Sequence, residues 1–313
     1  MKKVLISIVS MTLALSMLAG CGTAGSKKND NKDETKTTAT NTKKSDKKGI
    51  LVISFGTSYA DTRKVTIEAV EEKVKNTFKD YEVKRAFTSK IIRKKLKERD
   101  NIIVDSPEEA LSKMQKEGFS EIYVQPLHIM PGIEYDEVKE VVDKFNDKKA
   151  FDKLVLGRPL LYRAEDYKIA ADAFKKQLPK LNKDQAVAIM GHGTEHPSNS
   201  SYALFQYALE EKGMGNILVG TVEGYPTVDN VVRRLKEKGI KEVTLMPFML
   251  VAGDHANNDM AGDEKDSWKN VLKSNGFKVN TYIHGLGENE DIREIYIQHI
   301  KDSIDGNPLK EEK

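Results

Sequence analysis

Two histidines and one glutamate follow apolar segments that are typical of buried strands. His192 comes after AVAIMG, Glu223 after NILVGTV, and His255 after EVTLMPFMLVAGD. If these strands are neighbours in a parallel sheet, their carboxyl ends meet at one edge, where open α/β sheets bind ligands. Two imidazoles and a carboxylate there would suit cobalt(II), nickel(II), iron(II) or zinc(II), which accept mixed nitrogen and oxygen ligands. Each residue alone is more typical of a polar loop, so only their joint placement indicates a metal site.

The other four histidines are weaker candidates for metal ligands. His196 lies four residues after His192, as in a helical zinc pair, but an intervening glycine and a following proline favour a loop. His128 follows EIYVQPL, and an internal alignment of the two halves places it opposite Met249, which favours packing. The remaining two are interpreted as surface or helix-cap residues: His284 and His299.

Glu134 occupies in the first half of the chain the position that His255 holds in the second half. A carboxylate that faces a bound metal across a cleft could accept protons or guide the cation. The alternative is an acidic residue in the first turn of the following helix, stabilised by the helix dipole. Four cationic side chains are candidate counter-charges for an anionic ligand, although each is also explained as solvated surface charge: Arg63, Lys90, Arg93 and Arg158.

Several motifs of common enzyme classes do not occur in the sequence. The chain has no G-x-x-x-x-G-K-[ST] and no G-x-G-x-x-G after a strand, so the usual phosphate cradles of nucleotide and dinucleotide chemistry are missing. It also lacks G-x-S-x-G, which disfavours an α/β-hydrolase. The chemistry is therefore expected to need no nucleotide.

The candidate residues are placed by short apolar segments that alternate with amphipathic ones. The apolar segments predict eight strands, over residues 50–55, 82–87, 121–127, 153–157, 186–190, 216–222, 242–250 and 277–283. The amphipathic segments predict helices over 62–78, 106–118, 134–145, 165–178, 202–212, 227–238 and 268–274, and from 289 onward. Strands separated by helices need crossover connections, which indicates parallel sheets covered by helices.

The two halves of this pattern resemble each other. ILVISFGTSYADTR aligns with AVAIMGHGTEHPSN, which pairs Gly56 with Gly193, and QPLHIMPGIEYDEV aligns with MPFMLVAGDHANND, which pairs Pro126 with Pro247. We therefore predict an α/β protein with two similar lobes, each a parallel sheet flanked by helices, and a cleft between them. The lobes are assigned to residues 49–160 and 161–313, and the second lobe carries the metal site.

The first 48 residues have a different composition. Lys2 and Lys3 precede an uncharged, largely apolar run over residues 4–20, which is typical of an export signal and short for a membrane span. The run ends in LAGC, which resembles the bacterial lipoprotein box and predicts a signal over 1–21 with lipid attached to Cys21, the chain's single cysteine. Residues 22–48 have no large apolar side chain and predict a disordered tether. The expected location is the outer face of the cell membrane.

Charge is distributed unevenly along the chain. The first 48 residues hold ten lysines and four acids, which leaves 41 basic and 44 acidic residues in the remainder. A slightly acidic folded part disfavours a nucleic-acid partner, because such binding needs a basic face against the phosphates.

Five segments together identify a family resemblance. GILVISFGTSYADTR, VQPLHIMPGIEYDEV, MGHGTEHPSN, VGTVEGYP and MPFMLVAGDHANNDMAGD occur in this order and resemble the anaerobic sirohydrochlorin cobaltochelatases, which are class II tetrapyrrole chelatases. The resemblance covers about residues 49–305. It implies two α/β lobes around a cleft and ATP-independent insertion of cobalt(II) into sirohydrochlorin in cobalamin biosynthesis. It also implies metal ligation by His192, Glu223 and His255, with Glu134 as the acid of the first lobe.

An exported copy departs from this family, because a biosynthetic chelatase is normally cytoplasmic. One alternative is therefore a non-enzymatic lipoprotein that captures cobalt, haem or another tetrapyrrole for uptake or storage. Another is a chelatase for iron or nickel, since two histidines and a glutamate do not choose among these metals. The expected partners are sirohydrochlorin or a related tetrapyrrole, a divalent metal ion and the membrane, with a homo-oligomer left open.

Overall fold

The computed structural model describes residues 46–309 and has two four-stranded sheets flanked by helices. The strands are β1 (Lys47–Ser54), β2 (Glu82–Phe87), β3 (Phe119–Pro126), β4 (Lys153–Leu156), β5 (Gln185–Gly191), β6 (Ile217–Thr221), β7 (Glu242–Pro247) and β8 (Lys278–Thr281). The α-helices are α1 (Ala60–Val65), α2 (Ile67–Thr77), α3 (Lys90–Asp100), α4 (Pro107–Lys116), α5 (Ile133–Asp147), α6 (Ala164–Lys175), α7 (Ser200–Glu211), α8 (Val228–Glu237), α9 (Trp268–Ser274) and α10 (Glu290–Ile304). All eight predicted strands are present.

Both sheets are parallel throughout and have the same strand order. The first sheet runs β2-β1-β3-β4 and the second runs β6-β5-β7-β8, with every neighbouring pair parallel. This confirms the predicted α/β fold with two similar lobes. The crossovers run through helices because parallel neighbours cannot be joined by a tight turn.

The internal repeat is visible in the register of the strands. Ile53 pairs with Pro126 in the first sheet, and Met190 pairs with Pro247 in the second. The glycines that the alignment paired, Gly56 and Gly193, have φ values of 95° and 87°, a left-handed conformation that favours glycine. The alignment of the two halves is therefore confirmed at the strand ends.

Alternating side chains of the central strands enter different apolar cores. Ile50 and Val52 of β1 share one core with Val187 and Ile189 of β5, and this core extends across both lobes. The side chains between them enter a separate core in each lobe. Period-two alternation thus buries both faces of each sheet, and the shared core fixes the two lobes against each other.

The structure differs from the sequence prediction around α2 and α3. The helix predicted over 62–78 is two helices, since Thr66 between them has φ −116° and ψ −85°. No element was predicted over the residues of α3. Its signals were a Ser89 N-cap, whose hydroxyl accepts a hydrogen bond from Ile92 N, and Asn101 in the left-handed conformation at its end.

Three residues have different surroundings from those predicted. Arg63, a candidate counter-charge, is buried, with its Nε 3.2 Å from a Glu68 carboxylate oxygen. Arg158 and His299 were assigned to the surface, as a counter-charge and a cap residue, but both are buried against Asp166. Arg158 Nε lies 3.1 Å from the Asp166 carboxylate, and His299 Nε2 lies 3.4 Å from it. Burial lowers the pKa of His299, with Asp166 opposing that shift. The cluster ties α10 to α6 and leaves Arg158 unavailable to a ligand.

The predicted signal peptide, Cys21 and residues 22–45 of the tether lie outside the described residues. The first described strand begins at Lys47, two residues before the predicted lobe boundary. Across residues 46–309, no helix combines the length and apolar character that a bilayer span requires.

Candidate metal centre

The three residues predicted to hold a metal lie together at one edge of the second sheet. His192 follows β5, Glu223 follows β6 and His255 follows β7, and β5 lies between the other two strands. One ligand atom from each side chain lies within 4.8 Å of those from the others. The imidazole centroids are 4.7 Å apart, and His192 Nδ1 is 3.9 Å from a Glu223 carboxylate oxygen. The predicted cluster is therefore formed, and its role as a ligand set stays a prediction.

Main-chain contacts hold the loops after β5 and β6 together. Glu223 N donates a hydrogen bond to His192 O over 2.8 Å, and Val222 N donates to Gly191 O over 3.0 Å. A Cβ atom at Gly193 would lie only 2.4 Å from Gly224 N. The glycine therefore allows the close approach that sets the spacing between the His192 and Glu223 side chains.

Asn199 links these same two loops and was missed by the sequence analysis. Its Oδ1 accepts a hydrogen bond from Thr194 N over 3.1 Å, and its Nδ2 donates to Tyr225 O over 2.6 Å. The sequence signal was ambiguous, because Asn199 stands at the N-cap of α7, where an asparagine is expected for a different reason. In the structure its side chain makes no cap hydrogen bond and instead hydrogen-bonds to the two loops.

Hydrogen bonds at Nδ1 set the tautomers of the two histidines. His192 Nδ1 lies 2.8 Å from Gly193 O, and a carbonyl oxygen can only accept, so Nδ1 carries the proton. His255 Nδ1 lies 2.8 Å from an Asp259 carboxylate oxygen, which favours the same tautomer. In both rings Nε2 then keeps its lone pair for a cation, an arrangement typical of metal-binding histidines. Asp259, one turn after His255, was also missed by the sequence analysis.

A cavity of about 470 Å³ lies between the lobes and includes the two histidines in its wall. The first lobe contributes His128 and Glu134 from the end of β3 and the start of α5. Large apolar side chains from both lobes line much of the remainder: Phe55, Ile91, Ile92, Leu127, Ile129, Met130, Phe248, Met249, Leu250 and Val251. The cavity thus combines an apolar interior with a few polar groups, the usual character of small-molecule sites.

The position of Glu134 agrees with both interpretations of its role, as a carboxylate in the cleft and as an acidic residue at a helix N-terminus. It lies in the first turn of α5, after the N-cap Gly132, and it also lines the cavity on the lobe opposite His192 and His255. A stabilising interaction with the helix dipole and a role in the cavity are therefore compatible. Its part in catalysis stays a prediction.

The remaining candidates do not join the centre. His196 is in a loop, as predicted, with Nε2 3.3 Å from the Asp136 carboxylate and Nδ1 2.9 Å from Ser198 Oγ. His284 is exposed and pairs with Glu288. None of the four predicted counter-charges lines the cavity, while Lys95 of α3, which the sequence analysis did not name, does.

Comparison with known proteins gives consistent matches over this region. The family model described as Cobalt chelatase (CbiK) matches residues 48–305. A sirohydrochlorin cobaltochelatase of Salmonella typhimurium is 40% identical over 258 residues, covering 82% of this chain and 97% of the relative. Sirohydrochlorin cobaltochelatase CbiKC of Nitratidesulfovibrio vulgaris is 35% identical over 263 residues, covering 82% and 91%.

Among solved structures, SirB from Bacillus subtilis with Fe3+ matches with a TM-score of 0.59 at 16% identity. The match covers 85% of this chain and 100% of that one. At this identity the likeness shows a shared fold.

Proposed function

The chain belongs to the cobalt chelatase (CbiK) family, and we propose that it inserts cobalt(II) into sirohydrochlorin without using a nucleotide. The reaction exchanges two pyrrole N–H protons for one divalent ion and changes no oxidation state. The observation that carries the proposal is the cluster of His192, Glu223 and His255 in a chain of this family, with both histidines in the wall of an inter-lobe cavity.

In this proposal the cluster holds cobalt(II) through the two Nε2 atoms and the Glu223 carboxylate. An imidazole that binds through its lone pair adds no charge and a carboxylate ligand adds one negative charge, so the bound divalent ion keeps a net charge of about +1. The ion therefore remains attracted to the macrocycle nitrogens as they lose their protons. Mixed nitrogen and oxygen ligation accepts cobalt(II) while leaving coordination positions for the incoming nitrogens.

The walls of the cavity suit a flat, mainly apolar macrocycle with carboxylates at its rim. Phe55 and Ile91 line the cavity and are 50% and 77% exposed, so apolar surface is available to a ligand at the mouth. Covering such surface is favourable through the hydrophobic effect. Lys95, one turn after Ile91 on α3, places an ammonium group near the same opening for a rim carboxylate. Holding the ring against the metal then lowers the barrier through positioning.

The proposed activity is tested by mixing purified full-length protein with sirohydrochlorin and cobalt(II), without ATP. We expect the absorption spectrum to change to that of the cobalt complex faster than in a mixture without protein. Parallel reactions with iron(II) and nickel(II) test the metal, and we expect cobalt(II) to react fastest. A rate equal to the spontaneous rate with every metal would contradict the chelatase function, and a faster reaction with iron(II) or nickel(II) would contradict only the choice of cobalt.

We further propose that the protein is exported and anchored to the outer face of the cell membrane by a lipid on Cys21. The support is the sequence alone: a positive start, an uncharged apolar run and LAGC at its end. The family match begins at residue 48, so this segment is an addition to the family's own region.

The anchor predicts a clear result for Cys21→Ser in the full-length chain. Without the thiol, diacylglycerol cannot be attached, and we expect an unprocessed or released protein instead of a lipid-modified one. Fractionation and mass spectrometry of the N-terminus measure this outcome, with Ser26→Ala as the control because it leaves the thiol in place. Unchanged processing, lipid content and membrane recovery in the Cys21→Ser variant would disprove the anchor and leave the chelatase proposal intact.

A further inference from the structure

His128 is a half-buried cavity residue whose two ring nitrogens are shielded from solvent and have no hydrogen-bond partner within residues 46–309. It lies two residues after the end of β3 and lines the inter-lobe cavity, and its main-chain oxygen accepts a hydrogen bond from Leu160 N. Polar groups that are removed from water and left unpaired destabilise a fold. The imidazole at this position therefore needs an explanation other than packing.

The second lobe provides an internal comparison for this position. Met249 is the counterpart of His128 in the repeat, and its main-chain oxygen accepts a hydrogen bond from Leu286 N as that of His128 accepts one from Leu160 N. Both side chains line the same cavity. An apolar thioether is thus compatible with the fold at this position of the second lobe. The first lobe instead carries a ring with one donor and one acceptor.

The surroundings of His128 keep its ring neutral. Burial lowers its pKa to about 4, and the nearby Glu134 carboxylate opposes that shift. At neutral pH the ring therefore has one free lone pair and one N–H group. A neutral ring of this kind can accept a hydrogen bond from a ligand N–H and donate another to a carboxylate.

The polar residues at the cavity form two groups, and each group belongs to a different lobe. The proposed metal ligands follow strands of the second sheet, while His128 and Glu134 follow β3 of the first sheet. A flat macrocycle held between the lobes presents one face to each set. In this arrangement metal would enter at the face toward His192 and His255, and protons would leave at the opposite face.

We propose that His128 accepts a proton from a pyrrole nitrogen of the bound tetrapyrrole and passes it to Glu134. This inference rests on the proposed chelatase function. In each step an N–H bond breaks, its electron pair stays on the pyrrole nitrogen as a ligand for cobalt(II), and the proton moves to His128, then to Glu134 and to water. Two such steps release two protons per cobalt inserted, and no oxidant or reductant takes part.

Two substitutions in the full-length chain separate proton transfer from packing and from hydrogen bonding. His128→Met installs the residue of the equivalent position in the second lobe and removes the acceptor. His128→Gln keeps a hydrogen-bond acceptor but cannot take up a proton at neutral pH. His284→Gln is the matched control, because His284 is exposed and lies outside the cavity wall.

The readouts are kcat and KM with sirohydrochlorin, cobalt(II) affinity without the tetrapyrrole, and thermal unfolding. We expect kcat to fall by about 10²-fold or more in both His128 variants, as loss of a proton-transfer group does. The KM and cobalt(II) affinity should change less than about twofold, since the metal ligands are untouched. The His128→Met variant should unfold at the same or a higher temperature, because the unpaired polar group is gone.

Wild-type kcat in His128→Met would overturn the inference, and so would a rise in KM without a fall in kcat. Wild-type kcat in His128→Gln alone would also overturn it, because a hydrogen bond would then suffice. These outcomes leave the chelatase function standing. A wild-type protein that metallates no tetrapyrrole would remove that function and this inference together.

Discussion

Replacing His192 or His255 by alanine is expected to reduce metallation of sirohydrochlorin to the spontaneous rate. Each change removes one of the three groups whose ligand atoms lie within 4.8 Å of one another. Loss of an outer hydrogen-bond partner of a metal ligand typically lowers metal affinity by about 10–100-fold, so loss of a ligand itself should lower it further. Cobalt(II) affinity and kcat/KM at limiting cobalt measure the effect.

A graded series makes this prediction specific. Asp259→Ala removes only the hydrogen-bond partner of His255 Nδ1, so its cobalt(II) affinity should fall between those of the wild type and the His255→Ala variant. His284→Ala, at an exposed histidine outside the cluster, should match the wild type. Because His192 is 47% exposed, its loss should change the free energy of unfolding by less than about 1 kcal/mol. Wild-type turnover in either ligand variant would remove that residue from the site.

The cluster could be predicted because strand ends converge in a parallel sheet. His192, Glu223 and His255 lie about thirty residues apart, yet each follows an apolar segment, and the sheet brings these three strand ends to one edge. The internal repeat also located Glu134, since the alignment of the two halves needs no tertiary information. The location of residues that follow regular strands can thus be predicted from the sequence.

The supporting contacts could not be predicted in the same way. Asn199 bridges two loops only because the left-handed Gly193 brings their main chains together. Its sequence position indicates a helix cap and contains no information about the partner loop. Lys95 was missed because α3 itself was missed: the helix carries eight charged side chains among eleven residues, so its apolar periodicity is weak.

Some charged residues were wrongly expected at the surface, because their burial depends on contacts with distant segments of the chain. Arg158 and His299 are 141 residues apart, and both pack on Asp166 of α6. Charged side chains are mostly exposed, so a surface position was the better prediction without the tertiary contact. Such ion clusters form between distant segments and leave no local pattern.

Glu134→Gln is expected to lower the turnover rate by about 10²-fold or more while leaving sirohydrochlorin affinity nearly unchanged. Glutamine keeps the size and hydrogen-bonding capacity of the side chain but cannot accept a proton at neutral pH. Removal of a positioned acid or base typically costs about 10²–10⁴-fold in rate. Glu134 lines the cavity opposite the metal cluster, where each inserted cobalt must release two protons. The values of kcat and KM for sirohydrochlorin, measured separately, test the prediction.

The size of the rate effect distinguishes catalysis from a purely structural role in α5. A carboxylate in the first turn of a helix contributes about 0.3–1 kcal/mol to stability, so its loss should shift unfolding modestly and leave kcat alone. Glu137→Gln is the matched control, because Glu137 lies on the same helix, is exposed and does not line the cavity. If Glu134→Gln and Glu137→Gln both kept the wild-type rate between about pH 6 and pH 8, where histidines titrate, the helix dipole would account for Glu134. A rate loss confined to Glu134→Gln, with both proteins folded, would instead place its carboxylate in the path of the departing protons.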